Sequence, residues 1–351
     1  MLYLSHMAHI ALFQIKGWEE KYIKEKLAQE GFLVDSFEEG INTASVKDPS
    51  LYEAASVFVG PAVNKKTLEK FSKLKLVTTR STGFDHIDLV YAKEKEIALG
   101  YVPHYGENTV AEFAMGLILT LSRKLYVGID RIKEGRGFSF DGLEGFDLKG
   151  KTLGVIGTGR IGAHVIRMAK GFDMNIIASD AFPNNDLAKE LGFSYVTLEE
   201  LLAASDVITV HVPYLPSTHH LINAKNMEKV KRGAILINTA RGAVVETQAL
   251  VRALKNCSLA GAGLDVLEEE GVEKDEQGYW MRDADDDASE INLRTVLENN
   301  LLARMPQVVI TPHNAFNTRE AKMRILDADI QNISEFFKKG SVAHPIPVEK
   351  T

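Results

Sequence analysis

The chain has 351 residues, enough for two domains with cores of ordinary size, and its 45% hydrophobic and 25% charged content is that of a soluble globular protein. A formal charge of −7 argues against a nucleic-acid binder that works through a broad basic surface. The single cysteine, Cys257, excludes an intramolecular disulfide and a cysteine-rich metal site, and fits a reducing cytoplasm.

The opening "MLYLSHMAHIALFQI" lacks the basic start of a secretory signal, and its apolar part predicts a first strand. Short apolar segments at 9–15, 32–37, 56–59, 74–79 and 97–102 alternate with helical stretches, the pattern of a parallel α/β sheet. From Asn108 to Leu125, "NTVAEFAMGLILTLSRKL" is apolar on nearly every face and predicts one well-buried helix. Its run of apolar residues at 114–121 is too short to span a bilayer, so no membrane contact is expected. A second α/β series predicts strands at 152–156, 175–179, 207–210, 234–238 and 260–264. A last strand falls at "QVVIT", and a closing helix over 319–338. Between 268 and 290 the composition changes, with eleven acids against two bases. "DADDDASE" has the alternating aspartates of a calcium loop, but Ala288 stands at the turn-glycine position and Arg294 where a bidentate glutamate is needed. We read this stretch as a solvated insertion and expect no metal.

Gly157-Thr158-Gly159-Arg160-Ile161-Gly162 fits G-x-G-x-x-G, entered by the strand "TLGVI" and left by the helix "IGAHVIRMAKGF". In that setting Gly157 permits a tight turn, Gly159 lets the backbone approach a pyrophosphate, and Gly162 allows close helix–strand packing. The pyrophosphate then meets free N–H groups at the helix N-terminus. Asp180, eighteen residues past Gly162, ends the next strand. Its carboxylate is placed to accept from the adenosine ribose hydroxyls and to repel a 2′-phosphate, which favours NAD over NADP; the plainer alternative is a cap on the turn into "AFPNND".

Three strand ends downstream carry reactive groups. "INTARGAVVE" offers Arg241, whose guanidinium suits a substrate carboxylate, although a surface salt bridge is the usual fate of an arginine. "AGAGLDVLEEE" offers Asp265 and three glutamates, and "ITPHNAFNT" offers His313 directly after a proline. An anion clamp, a carboxylate and an imidazole are what hydride transfer to a 2-keto acid requires, because reducing C=O also demands a proton. His211, His219 and His220 show no metal-ligand spacing and are read as structural.

"GTGRIG", "HVPY", "NTARG", "GLDVLEEE" and "TPHNAF" occur in the order and spacing of the D-isomer-specific 2-hydroxyacid dehydrogenases, which the chain resembles from about residue 10 to 340. "RSTGFDHIDL" and "VPHYGENTVAE" look like the D-lactate dehydrogenase branch of that family. The resemblance implies a Rossmann-type NAD-binding domain, 107–312, inserted into a discontinuous, flavodoxin-like α/β substrate domain made of 1–106 and 313–351. It thereby explains why the glycine fingerprint begins almost halfway along the chain. It implies that Arg241 holds the substrate carboxylate and that His313 is the proton donor in reduction. Glu270 matches the glutamate that pairs with this histidine and favours its imidazolium form, with Glu268 and Glu269 as bystanders. Cofactor contacts are implied at Arg160 and Ile161, at Val212, Pro213 and Thr218, and at Thr239, Ala240, Arg241 and Asp265. Substrate contacts are implied at the amides of Thr82 and Gly83 and at Tyr105, with Phe58 and Phe316 narrowing the pocket; for Phe58, core packing is an equal alternative.

Gly271 stands where many family members have proline, and the acidic stretch lengthens the path to His313. Glutamate rather than glutamine at 270 counts against a formate dehydrogenase, and the absence of a domain after the final helix counts against the longer phosphoglycerate dehydrogenases. The expectation is a cytoplasmic, homodimeric, NAD-dependent enzyme that reduces pyruvate to D-lactate. The alternatives are another 2-keto acid (branched, aromatic, glyoxylate or hydroxypyruvate), or an NAD-sensing binding protein of the same fold.

Overall fold

The computed structural model describes residues 7–270 and 293–347. Most of the acidic stretch, including the calcium-loop-like "DADDDASE", lies outside the described residues. By packing, the chain divides into two units: residues up to Tyr105 together with those from Asn317 onward, and Gly106–Phe316 between them.

In the first unit, apolar runs flanked by polar turns form five parallel strands: β1 (His9–Leu12), β2 (Leu33–Ser36), β3 (Ala54–Val57), β4 (Leu76–Thr79) and β5 (Ala98–Gly100). Their order β2-β1-β3-β4-β5 is the flavodoxin-like one. β3 and β4 are buried at every residue, as expected of central parallel strands covered on both faces. One face packs Phe13, Tyr52, Phe71 and Tyr91; the other packs Ile10, Leu12 and Leu76 against Ile23 and Leu27 and against Leu326, Ile330 and Ile333 of the closing helix Arg319–Lys339. That helix starts where Thr318 Oγ1 accepts from Ala321 N and stops at Gly340, whose φ of +75° suits glycine.

The second unit carries β6 (Thr152–Ile156), β7 (Asn175–Ser179), β8 (Ser194–Tyr195), β9 (Val207–Val210), β10 (Ala234–Asn238), β11 (Leu259–Leu264) and β12 (Val308–Ile310), all parallel, in the order β12-β11-β10-β9-β6-β7-β8. This is the doubly wound Rossmann order, and the direction of winding reverses between β6 and β9. Apolar layers on both faces bury the sheet.

The structure departs from the sequence reading at particular places. The helix expected from Asn108 to Leu125 runs Glu107–Ser122, three residues short at its C-terminal end; Lys124 turns left-handed at φ +49°, and a further helix, Leu125–Lys133, which the sequence reading did not mark, follows it. The break falls at the polar run Ser122-Arg123-Lys124, which reads equally well as a solvated turn of one longer helix. The first helix buries one broad face, including Ala111, Ala114, Met115 and Ile118, and leaves Glu112 and Gly116 exposed. Strand β1 is shorter than expected because Gln14 adopts φ +53°, although Phe13 and Ile15 remain buried. The two-residue edge strand β8 carries too little pattern to be read from sequence. Residues 313–316 pack with the second unit, four residues beyond the boundary read from the sequence, because Asp265 holds the backbone N–H groups of Asn314 and Ala315 at 2.8 Å. No helix among the described residues is long and apolar enough to cross a membrane.

Candidate active site

The glycine loop follows β6. Gly157 has φ +91°, and a Cβ there would lie 2.7 Å from His211 O and 2.8 Å from Val212 Cγ1. At Gly162 a Cβ would lie 2.1 Å from Gly157 O, so the third glycine is what lets the helix Arg160–Gly171 approach the loop. Gly159 is different: no heavy atom stands within 4 Å of where its Cβ would be. The helix above it has no side-chain cap, which leaves first-turn N–H groups to an anion. The cradle therefore fits a pyrophosphate at the positions where the fingerprint needs one.

Asp180 ends β7 beside this loop. One of its oxygens accepts from Thr158 N at 2.6 Å and Thr158 Oγ1 at 2.9 Å, and the other accepts from Phe182 N at 2.9 Å. It thus caps the following turn and braces the glycine loop. Val212 and Pro213 follow β9, and Thr218 closes their loop by donating to Pro213 O at 2.7 Å. Arg160 is exposed, 3.4 Å from Glu107, and Ile161 is half-buried.

His211, at the end of β9, keeps some exposed surface, but its Nδ1 is enclosed and lacks a hydrogen-bond partner, and Nε2 lies 2.8 Å from Thr209 Oγ1. Burial depresses its pKa to about 3, so the ring is neutral at physiological pH. The unfolded chain takes up this proton below about 6.5 while the folded chain does not until about 3. Stability is therefore full above that window and falls as pH drops through it. His211 alone is expected to account for about 2 kcal/mol lost between pH 6.5 and 4.5. A His211→Asn variant should lose that share of the slope in urea unfolding; an unaltered pH dependence would remove this account.

The ends of β10, β11 and β12, neighbours in the sheet, carry the remaining groups. After β10, buried Asn238 locks the turn: its Nδ2 donates to Arg241 O at 2.9 Å and its Oδ1 accepts from Ala240 N at 3.0 Å. Arg241 Nη1 donates to Ala240 O at 2.8 Å. Thr239 is buried, and its Oγ1 has no protein partner, an orphaned group at the strand end where the nicotinamide side of a dinucleotide is expected. With the glycine cradle, this fits NAD.

Asp265, after β11, is 1% exposed and organises the histidine turn. Its carboxylate accepts from Thr311 Oγ1 at 2.5 Å and from the N–H groups of Asn314 and Ala315, while its carbonyl accepts from His313 N at 2.9 Å. Burial raises the Asp265 pKa, and these hydrogen bonds act in the opposite direction. His313 is held at φ +50°, with Nδ1 2.7 Å from Glu270 Oε1.

The three adjacent glutamates separate by geometry. Glu270 faces His313, whereas Glu268 reaches His220 Nε2 at 2.6 Å and Thr247 N at 2.9 Å. Nothing in the sequence marks these ties, because His220 and Thr247 lie 48 and 21 positions away on other segments. Among the described residues no group of three His, Cys, Asp or Glu side chains is arranged to hold a metal ion.

In the first unit, Phe58 follows β3 and receives no full burial, and its N–H donates to Gln14 Oε1 at 3.3 Å. Thr82 and Gly83 follow β4, with Thr82 Oγ1 donating to Val102 O at 2.9 Å and Gly83 O accepting from Ser81 Oγ at 2.6 Å. Tyr105 ends the unit's first segment, its carbonyl accepting from Arg324 Nε at 2.7 Å. Phe316 is the last residue of the second unit and is half-buried.

Residues 115–315 match the D-isomer specific 2-hydroxyacid dehydrogenase, NAD binding domain. A 2-hydroxyacid dehydrogenase homolog of Haemophilus influenzae is 38% identical over 96% of this chain and 98% of its own length. An aromatic 2-oxoacid reductase of Clostridium sporogenes is 35% identical, with 93% of each chain covered. A solved structure of a D-lactate dehydrogenase from Aquifex aeolicus, complexed with NAD and lactic acid, superposes with a TM-score of 0.82 at 35% identity, covering 95% of this chain and 98% of that one. With its fingerprint on a Rossmann sheet and its NAD-binding domain matched over 115–315, the chain belongs to the D-isomer specific 2-hydroxyacid dehydrogenase family, on the branch that holds the D-lactate dehydrogenases.

Proposed function

We propose that the protein reduces a small 2-keto acid, pyruvate, to the D-2-hydroxy acid, D-lactate, using NADH. The observation that carries this reading is the His313–Glu270 pair at 2.7 Å, set at a strand end two strands from the Arg241 turn. The chemistry supplied by bound NAD is hydride exchange with C2 of the acid. Glu270 engages His313 Nδ1, so Nε2 is the atom that gives a proton to the C2 oxygen in reduction and takes it back in oxidation. Arg241 binds the substrate carboxylate and orients the carbonyl. Gly157, Gly159, Arg160, Ile161 and Gly162 hold the pyrophosphate, Asp180 the adenosine ribose, Val212, Pro213 and Thr218 the adenosine side, and Thr239, Ala240 and Asp265 the nicotinamide side. The reading assigns substrate contacts to Thr82, Gly83 and Tyr105, and pocket width to Phe58 and Phe316.

The test is oxidation of NADH at 340 nm with pyruvate, with the chirality of the product determined. D-lactate formed with NADH, and slow turnover with NADPH, is the expected result; no turnover on pyruvate with tight NADH binding would overturn it. The 35% identity to an aromatic 2-oxoacid reductase supports a second reading, an aromatic acid, and phenylpyruvate in the same assay separates the two. Arg241→Lys is expected to raise KM for the keto acid by about 10–100-fold, since an ammonium loses one charge-assisted hydrogen bond of the fork. An unchanged KM would take the carboxylate role from Arg241. We further assign a homodimer in the cytoplasm. Phe138 and Phe140 of the second unit, 99% and 86% exposed, supply the apolar surface for such a contact, and sedimentation velocity would show it.

A further inference from the structure

Glu268 lies two residues before Glu270, with hydrogen bonds to three other segments and close backbone packing against a fourth. One carboxylate oxygen accepts from both the N–H and the hydroxyl of Thr247, the first residue of the helix Thr247–Lys255. The other faces His220 Nε2 at 2.6 Å, from the loop that follows β9. Its main-chain carbonyl accepts from Nδ2 of Asn299, a fully buried residue of the helix Leu293–Arg304, at 2.7 Å. Its backbone also lies against the Arg241 turn: a Cβ at Gly242 would stand 2.0 Å from Leu267 C and 2.2 Å from Glu268 N. Immediately after this clamp, Glu269 takes φ +57°, and the reversal delivers Glu270 to His313.

We propose that Glu268 is a positioning residue, whose ties to Thr247, His220 and Asn299 fix the segment that presents Glu270 to His313 and hold it against the Arg241 turn. This rests on the reading in which His313 and Glu270 carry the proton. Glu268 touches neither reacting atom; it acts by keeping the glutamate within hydrogen-bond reach of the imidazole, a distance on which proton transfer depends steeply. Three donors surround its two oxygens, so alanine leaves the Thr247 amide without its acceptor. Glutamine keeps the geometry: its carbonyl takes the Thr247 side and its amide faces His220, which accepts at Nε2 in the other tautomer.

The experiment compares Glu268→Ala, Glu268→Gln and Thr247→Val in the full-length enzyme, measuring kcat and KM with pyruvate, NADH affinity by fluorescence, and the His313 ring 15N resonances. Those resonances are assigned by their absence in His313→Gln. Glu268→Ala is expected to lower kcat about 10–100-fold with NADH affinity within about twofold, and to move the His313 resonances. Glu268→Gln should stay within about threefold of the parent kcat and leave the resonances in place. Combining Glu268→Ala with His313→Gln should add nothing to the loss from His313→Gln alone, because both act through one pair. If Glu268→Ala does not fold, Thr247→Val must show a smaller loss of kcat in the same direction. Unmoved His313 resonances together with unchanged kcat, or a loss that multiplies that of His313→Gln, would overturn the proposal. If the parent enzyme turns over no 2-keto acid while Glu268→Ala still moves the His313 resonances, the positioning role stands and the proposed activity falls.

Discussion

His313→Gln is expected to lower kcat for pyruvate reduction by about 10²–10⁴-fold, the usual contribution of a positioned general acid, while NADH affinity changes little. Glutamine occupies a similar volume and can hydrogen-bond to Glu270, but it supplies no proton to the developing alkoxide. The fold should survive, because the turn is held from below: Asp265 grips the N–H groups of Asn314 and Ala315 as well as Thr311 Oγ1, and none of these bonds uses the imidazole. The measurement is pre-steady-state oxidation of NADH, which separates the chemical step from product release. A variant that retains more than about a tenth of the parent rate would remove His313 from the proton-donor role.

The second large effect is on stability and lies in the first unit. Arg80 is 3% exposed, its guanidinium donating to Ser56 Oγ at 2.5 Å, to Gln14 O at 3.2 Å and to Phe13 O. Asp329 of the closing helix is fully buried and accepts from the same Ser56 hydroxyl at 2.7 Å and from Thr78 Oγ1 at 2.8 Å. Burial lowers the Arg80 pKa and raises that of Asp329, and each charge offsets part of the shift in the other. Asp329→Ala therefore strands a buried cation and is expected to cost about 3–5 kcal/mol. The double change Arg80→Met with Asp329→Leu should cost less than either single change, since it removes both charges and leaves apolar volume in their place. Urea unfolding followed by the fluorescence of Trp18, in a Trp280→Phe background, reports the first unit separately. A loss below about 1 kcal/mol for Asp329→Ala would show that the pair is solvated, contrary to the burial found here.

What local pattern encodes was readable in the chain. Strands β6, β7, β9 and β10 have the bounds read from the sequence, because the apolar residues at the centre of a buried parallel strand mark it and polar or turn residues close it. The glycine spacing states which backbone positions have no room for a Cβ, and Gly157 and Gly162 meet that condition at His211 O and Gly157 O. Arg241, Asp265 and His313 were found because each stands within three residues of a strand's end, and strand ends are where a doubly wound sheet gathers its ligands.

Other features had no local signature. The break at Lys124 falls in the polar run Ser122-Arg123-Lys124, which a continuing helix carries as readily on its solvated face, and β8 is two residues long. Three consecutive glutamates are chemically alike in sequence, and only the left-handed turn at Glu269 sends Glu270 to His313 and Glu268 to Thr247 and His220. Thr78 and Asp329 meet across 251 positions. The sequence by itself determined the two parallel sheets, the dinucleotide loop and the candidate proton donor, since burial periodicity and turn chemistry act over a few residues. The tertiary structure decided which buried polar groups answer one another, because hydrogen-bond partners are fixed by the crossing of distant segments that no local pattern specifies.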